Sequence, residues 1–322
     1  MNNTNVKVSV CIPVYGVEKY IERCARSLFE QTMTEGIEFI FVNDCTKDKS
    51  IEILEQVLSE YPQRKEQVKI IHHKKNGGLV AARNTGLKHA TGDYIIHCDS
   101  DDWVDLNMYE AMYNKAIETN ADMVYSDFYI NTPYREKTRK TESINNKDDF
   151  LFYLCSDQAY AALWTKLYKR TICHSIPQMD EMICMNEDFI RNYYCIQHCH
   201  KIVHIPQPYY HYFLNINSIS KNWHPKHLQQ LLQIHDILAQ DVSAGKCDKH
   251  NLMAYEQVIL YMMLRHPEII TQKDFLKYKR KFLSSMFIWS HMPITKKIFL
   301  TAGMICTPLT KLILSVLIPQ KA

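Results

Sequence analysis

The change from strand to helix that sets the architecture lies in residues 6–31, VKVSVCIPVYGVEKYIERCARSLFEQ. The first part, Val6–Val14, is mainly apolar and rich in valine, which is typical of a strand buried on both faces. The residues that follow place Ile21, Cys24 and Leu28 on one face, at the three-to-four spacing of a helix. We therefore predict a strand and a helix in succession.

The same alternation repeats as far as residue 130. We predict further strands at 38–43, 68–73, 94–98 and 122–130, and helices at 48–61, 79–89 and 109–119. Strands that alternate with helices indicate a mostly parallel sheet with helices on both faces. Ligands of such sheets bind beyond the carboxyl ends of the strands, so the residues that follow each strand are the candidate site.

Beyond residue 130 the pattern becomes less regular. Residues 131–148 are polar and lack periodicity, which indicates a surface loop. The chain then becomes mainly helical, apart from a hairpin-like pair of strands around 201–205 and 208–213. From 224 to 290 we expect helices only.

The composition excludes several classes of protein. The chain has 322 residues, of which 46% are hydrophobic and 23% charged, so it is not intrinsically disordered. Eleven scattered cysteines and a start without a secretory signal predict a reducing compartment. The net charge of +3 hides a strongly basic stretch at 272–322 on a mildly acidic body, which argues against a nucleic-acid binder and for a tail with its own partner.

A run of carboxylates follows the fourth strand, at Asp99-Ser100-Asp101-Asp102. These acids would repel one another unless a cation lay between them, and Mg²⁺ takes one or two carboxylates together with substrate phosphates. The alternative is that Asp101 or Asp102 caps the next helix. We favour a metal site.

Two glycines, Gly77 and Gly78, stand before the helix that follows the third strand, and Arg83 lies within that helix. Free backbone N–H groups at a helix start favour anions, and the arginine could reach a phosphate or a base. An ordinary tight turn is the alternative for the glycines.

Other signatures of nucleotide and hydrolase sites are absent from the sequence. There is no G-x-G-x-x-G after the first strand, no phosphate-binding P-loop, no H-E-x-x-H and no G-x-S-x-G. The cysteines and histidines of residues 195–200 lack a second ligand pair at zinc-finger spacing, so we interpret them as part of a helix.

Taken together, the motifs resemble the family 2 glycosyltransferases of the GT-A fold. The resemblance covers about residues 6–220 and rests on these segments in order: Val8–Tyr15, Val42-Asn43-Asp44, Asn76-Gly77-Gly78 with Arg83-Asn84, Asp99–Asp102, Trp164-Thr-Lys166-Leu-Tyr168, Asn186-Glu187-Asp188, Tyr209–Tyr212 and Ser218-Ile-Ser220. Each segment alone is a weak signal, but their joint order is specific.

The resemblance implies an inverting, metal-dependent transfer of a sugar from a UDP-sugar. The nucleotide-sugar would be bound by Pro13, Tyr15, Asp44, Gly78, Arg83, Asp99, Ser100, Lys166, His211 and Ser218. Pro13 and Tyr15 would flank the nucleobase, and Asp44 would accept its imide N–H. Asp101 and Asp99 would hold Mn²⁺ or Mg²⁺. Asp188 would be the general base for the acceptor hydroxyl, with Glu187 as the competing candidate.

The resemblance and the charge pattern together predict the domain organisation. Residues 1–222 would form the catalytic domain, with a donor half at 1–130 and an acceptor half at 131–222. A helical extension at 223–290 and an apolar, basic tail at 291–322 would follow.

The C-terminal part of the chain is predicted to contact a membrane. A basic amphipathic helix is expected at 274–290, followed by an apolar segment at 298–318 that carries one lysine and one proline. We expect a surface-seated or re-entrant anchor, with a dimerising helix as the alternative. The chain would then lie on the cytoplasmic face of the membrane and act on a glycan or a lipid-linked oligosaccharide.

Two other functions are left open by the sequence. A sugar-nucleotide nucleotidyltransferase has a related sheet, but it would need a basic Gly-rich loop directly after the first strand, where this chain has Pro13-Val14-Tyr15-Gly16. A non-catalytic scaffold that keeps the fold is the second.

Overall fold

The computed structural model describes residues 6–179, 186–214, 224–266 and 272–281. The strands in this part of the chain are β1 (Val8–Val14), β2 (Ile37–Asn43), β3 (Val68–His72), β4 (Tyr94–His97), β5 (Trp103–Val104), β6 (Met123–Thr132), β7 (Arg135–Arg139), β8 (Lys166–Lys169) and β9 (Ile202–Phe213). The helices are α1 (Ile21–Phe29), α2 (Ser50–Ser59), α3 (Gly78–His89), α4 (Met108–Thr119), α5 (Lys147–Cys155), α6 (Arg170–Ser175), α7 (Glu187–Gln197), α8 (Pro225–Ser243), α9 (Lys249–Arg265) and α10 (Gln272–Lys281).

One sheet holds the described strands in the order β3-β2-β1-β4-β8-β6-β9-β5, with β7 added beside β6. The four strands β1–β4 are parallel, as the sequence predicts. The second half is mixed, because β8 runs antiparallel to β4 and β6, and β9 runs parallel to β6.

Helices cover both faces of the parallel half. Alternate residues of β1, such as Val10 and Ile12, pack in the main core with buried side chains of α1, α2 and α4. The intervening residue Cys11 packs on the other face with Ala82 and Leu87 of α3. This alternation follows from the two-residue period of a strand and explains why β1 is apolar throughout.

Two predictions about the second half are wrong. Residues 201–213 form the single strand β9 and not a hairpin-like pair. The ladder with β6 shifts register where Ser126 faces Ile205 and Asp127 faces Pro208, so Pro206 falls in a bulge that needs no ladder N–H. The predicted loop at 131–148 contains β7, which is exposed along its length and therefore lacks the apolar alternation that marks a half-buried strand.

The contacts divide the chain into two compact units. The first holds the sheet with α1–α4, α6 and α7, and the second holds residues 151–159 with α8–α10. Within the second unit, α8 and α9 pack through buried residues such as Ile234 and Ile259, and a hydrogen bond of 3.1 Å joins His235 to Glu256. The described residues between 224 and 281 form helices, as predicted. The predicted domain boundary at 222 stays a prediction.

Candidate active site

Three hydrogen bonds tie the loop after β1 to the loop after β2. The N–H groups of residues 16, 17 and 18 donate to Thr46 Oγ1, Ser50 Oγ and Asp48 Oδ2 at 2.9, 3.1 and 3.0 Å. Asp48 also accepts from both of these hydroxyl groups. Tyr15, whose side chain is 53% exposed, therefore stands on a fixed loop at the carboxyl end of β1.

The carboxylate of Asp44 is buried just after β2. It accepts the N–H of Gly77 at 2.8 Å and the N–H of Gly78 at 2.7 Å, and Gly78 has a φ of +85°, which favours glycine. The imidazole of His73 bridges Asp44 Oδ1 and Thr85 Oγ1, with 2.8 Å on each side. The two glycine N–H groups that the sequence offers to an anion are thus bonded to Asp44 in this structure.

Arg83 joins the end of β4 to α7. Its Nη2 donates to Asp99 Oδ1 at 2.6 Å, and its Nη1 forms an ion pair with Glu187. Only 5% of the Arg83 side chain is exposed. On α7, Arg191 is equally buried and donates to Asn84 Oδ1 of α3 at 2.9 Å. Two arginines and one glutamate therefore share the space between α3 and α7.

The three acids after β4 have different environments. Asp102 is fully buried and accepts the hydroxyl of Tyr210 and the N–H of Phe213, both at 2.7 Å. It therefore holds β9 in place and does not cap a helix. Burial, and to a lesser degree the neighbouring charge of Asp99, raises the pKa of Asp101 to about 6.

The donor set at these acids fits a divalent cation that shares its ligands with phosphates. Asp99 and Asp101 supply two carboxylate groups, and Mg²⁺ typically takes one or two carboxylates together with substrate phosphates. The described residues contain no group of three or more His, Cys, Asp or Glu side chains arranged to hold a metal by themselves. Ser100 between the two acids donates to the carbonyl of Pro13 at 2.7 Å, which fixes the end of β4 against β1.

Glu187 and Asp188 begin α7, and their side chains differ in surroundings. Glu187 is buried at 3% exposure by its ion pair with Arg83. Asp188 is partly exposed and accepts the N–H of Phe189 at 2.8 Å. Burial raises the pKa of Asp188, although the positive charges of Arg83 and Lys166 oppose the shift. The structure brings Arg83, Asp99 and Asp188 together.

Lys166 is buried behind Asp188 at the start of β8. Its ammonium donates to the carbonyls of Tyr160 at 2.6 Å and Ala162 at 2.7 Å. Burial lowers the pKa of Lys166 to about 7, and the charge of Asp188 opposes the shift. Lys166 therefore holds the backbone at 160–162.

His211 lies on the opposite side of β9 from the neighbouring Tyr210. Its imidazole stacks between Trp103 and Tyr129, with ring centroids 4.8 and 4.5 Å away. Its Nε2 lies 2.9 Å from Asp105 Oδ1. The structure thus places Tyr210, and not His211, against the acids after β4, because successive strand residues point to opposite faces.

Several predicted features fall outside the described residues. Ser218, the second half of the 274–290 helix and the whole of 291–322 lie there. Of the basic helix the structure contains α10, whose last turn carries Lys279, Arg280 and Lys281. In the described part of the chain, no helix is both long enough and apolar enough to cross a membrane.

Sequence reasoning missed three residues of this site. Tyr210 bonds Asp102, Asn192 donates to the carbonyls of Ala161 and Asp188, and Tyr160 lies near Asp188. The two-residue alternation of β9 could have shown that only one of Tyr210 and His211 faces the acids. The sequence carries no local signal for the other two.

Comparison with known proteins identifies the family of this chain. The glycosyl transferase family 2 model matches residues 9–180. The chain belongs to that family. It is 32% identical to the uncharacterized glycosyltransferase EpsJ of Bacillus subtilis over 231 aligned residues. The alignment covers 66% of this chain and 63% of EpsJ. The chain thus spans less than two thirds of that relative.

Solved structures confirm the predicted GT-A fold of this family 2 chain. S. aureus TarS 1–349 in complex with UDP-GlcNAc superposes with a TM-score of 0.67 at 17% identity, over 94% of this chain and 88% of that one. The mannosyltransferase PcManGT of Pyrobaculum calidifontis, in complex with GDP-Man and Mn²⁺, superposes with a TM-score of 0.54 at 13% identity. The superposition covers 95% of this chain and 83% of PcManGT.

Proposed function

We propose that this chain is an inverting glycosyltransferase that moves a sugar from a UDP-sugar to a hydroxyl group of a glycan or lipid-linked acceptor. The main support for this proposal is that Arg83 forms two ion pairs. They join Asp99, at the donor end of β4, to the first turn of α7, where Asp188 lies. Membership of family 2 supports the reaction class.

The donor nucleotide lies at the ends of β1 and β2 in this proposal. Tyr15 and Pro13 flank the base, and Asp44 accepts the imide N–H that uracil offers. The bonds from Gly77 and Gly78 fix the Asp44 carboxylate before the nucleotide arrives. The complex of TarS with UDP-GlcNAc supports a uridine donor.

Asp101 and Asp99 would hold Mn²⁺ or Mg²⁺. A bound cation would supply positive charge that stabilises UDP as the leaving group. Arg83 supports Asp99 through its hydrogen bond of 2.6 Å and keeps that carboxylate oriented. The Mn²⁺ complex of PcManGT supports the assignment.

Asp188 accepts the proton of the acceptor hydroxyl. The freed oxygen then bonds to the anomeric carbon as the bond from that carbon to the phosphate oxygen breaks, and the electron pair leaves with UDP. Because attack comes from the face opposite UDP, the anomeric centre inverts. The raised pKa of Asp188 makes it a stronger base than an ordinary aspartate, whereas Glu187 is engaged by Arg83.

The acceptor and the cellular location belong to the same proposal. A basic C-terminal stretch at 272–322 would attach the chain to the cytoplasmic face of the membrane, where a lipid-linked oligosaccharide is presented. The basic last turn of α10 supports this placement. A second copy of the chain is a further expected partner.

Calorimetric titration of the full chain tests the donor half. UDP and UDP-sugars should bind in the presence of Mn²⁺, more tightly than GDP-sugars, and EDTA should weaken binding. Asp101→Ala should abolish the effect of the metal, whereas Asp148→Ala, an exposed acid in the first turn of α5, should behave as wild type. Absence of nucleotide binding with every metal would contradict the proposal and favour a scaffold.

A further inference from the structure

Tyr160 presents a partly exposed aromatic ring near the carboxylate of Asp188. The residue is 39% exposed. Burial raises the pKa of its hydroxyl, and the neighbouring Tyr212 and Asp188 add smaller contributions in the same direction. The inner side of the ring packs against Phe128 and Trp164, with centroids 4.8 and 5.9 Å away. The position of the ring is therefore fixed by the core.

The backbone that carries this ring is held unusually firmly. The buried ammonium of Lys166 binds the carbonyls of Tyr160 and Ala162. Asn192 of α7 donates both to the carbonyl between them and to the carbonyl of Asp188, the latter at 2.8 Å. Asn192 thus joins the backbone beside Tyr160 to the backbone of Asp188. Burying the ammonium of Lys166 beside this backbone is costly.

The other large exposed aromatic side chains of the described residues have different positions. Tyr15 lies at the end of β1, on the donor side. Tyr134 is 97% exposed in the turn between β6 and β7. Within the described ranges, Tyr160 alone combines an exposed ring with a neighbouring carboxylate that the proposed reaction uses.

We propose that Tyr160 forms the acceptor subsite, where its ring stacks on the apolar face of the sugar whose hydroxyl Asp188 deprotonates. The C–H groups on one face of a pyranose ring complement the electron-rich face of an aromatic ring. A sugar stacked on Tyr160 places one of its hydroxyls toward Asp188. The inference rests on the proposed function and narrows it, because the acceptor group is then a sugar ring and not a lipid alcohol, a polyol or an amino-acid hydroxyl.

Saturation-transfer NMR on the full chain loaded with UDP and Mg²⁺ tests the subsite. The probes are methyl β-glucoside, methyl β-galactoside and methyl β-N-acetylglucosaminide, with glycerol as the probe that lacks a ring. Saturation of aromatic protons should reach the ring protons on one face of at least one glycoside. In Tyr160→Ala the glycoside affinity should fall by at least about five-fold, as expected for the loss of one aromatic contact.

Matched variants separate stacking from folding. Tyr160→Phe should keep the signal, and Tyr160→Leu, which keeps apolar volume in the core, should lose it. Tyr134→Ala should behave as wild type. A wild type that shows no transfer to any glycoside, or a Tyr160→Leu variant that binds glycosides normally, overturns the subsite.

UDP binding measured on the same samples distinguishes the two proposals. Normal UDP affinity with failed glycoside binding overturns the subsite alone. Loss of UDP binding in the wild type overturns the proposed function as well.

Discussion

Around the ends of β1 and β2, backbone N–H groups of short loops make most of the bonds, whereas around α7 buried charged side chains make them. Asp44 receives two backbone N–H groups from the loop before α3. By contrast, Arg83 pairs with Glu187, and Arg191 bonds Asn84 across 107 positions of sequence. The donor side and the base side of one site are therefore held by different kinds of interaction.

This difference predicts how each side responds to substitution. On the donor side only the acceptor has to be a particular side chain, such as Asp44 or Asp48, because the backbone N–H donor is present in every residue except proline. The base side depends on each buried charge, because a charge that loses its partner in a buried site is costly. Substitutions near α7 should therefore have the larger effects.

The largest effect is expected for Asp188→Asn. The amide keeps the shape of the carboxylate but cannot accept the proton, so kcat for sugar transfer should fall by about 10²–10⁴-fold. UDP affinity should stay within about two-fold of wild type, since Asp188 lies on the base side. Steady-state kinetics and calorimetry on the same preparation measure both, with Asp148→Asn as the matched control. If Asp188→Asn keeps the kcat of the wild type, Asp188 is not the general base.

The same difference explains what the sequence could predict. Asp44, Asp99 and Asp101 were identifiable because they directly follow predicted strands whose ends share one edge of a sheet. The ion pair between Arg83 and Glu187 could not be predicted from the sequence. It joins two side chains that are far apart in the sequence, and packing brings them together.

The second half of the sheet was predicted less well for local reasons. The two strands predicted at 201–205 and 208–213 form the single strand β9, because a bulge accommodates Pro206. The exposed strand β7 carries no apolar alternation. The parallel strands β1–β4 are buried on both faces, so their apolar runs stand out in the sequence.

Stability gives the second test, through Glu187→Gln. The change removes the buried carboxylate next to Arg83 and Arg191 and leaves Arg83 with Asp99 alone, which should cost about 3 kcal/mol of the free energy of unfolding. Urea denaturation measures it. The control is Glu118→Gln, because Glu118 is 66% exposed in its ion pair with Lys115 and should contribute less than about 1 kcal/mol. Equal losses in the two variants would contradict a special role for buried charge near α7.

The third test compares how the free energy of unfolding of Lys166→Met and of the wild type depends on pH. Burial lowers the pKa of Lys166 to about 7 in the folded chain, against about 10.4 in an unfolded chain. Between these values the unfolded state binds more protons, so the stability contributed by this site rises with pH. The wild type should gain about 2 kcal/mol over Lys166→Met between about pH 7 and pH 9.

Denaturation of both proteins at several pH values checks this slope. The control is Lys115→Met, which removes an exposed lysine on α4. The difference in free energy of unfolding between this variant and the wild type should be the same at each pH. If the free energies of unfolding of Lys166→Met and the wild type change with pH in the same way, burial does not lower the pKa of Lys166. A buried charge would then cost no stability on the base side.

The smallest effect is expected for Tyr210→Phe, which lies between the two sides. The hydroxyl of Tyr210 donates to Asp102 at 2.7 Å and accepts the N–H of Asp99 at 3.0 Å, so its loss should cost about 1 kcal/mol of stability. Because that N–H belongs to a proposed metal ligand, Mn²⁺-dependent UDP binding should weaken along with stability. Tyr129→Phe removes a hydroxyl from the stack around His211 and should leave UDP binding unchanged. If Tyr129→Phe weakens UDP binding and Tyr210→Phe does not, the face of β9 that carries His211 serves the donor after all.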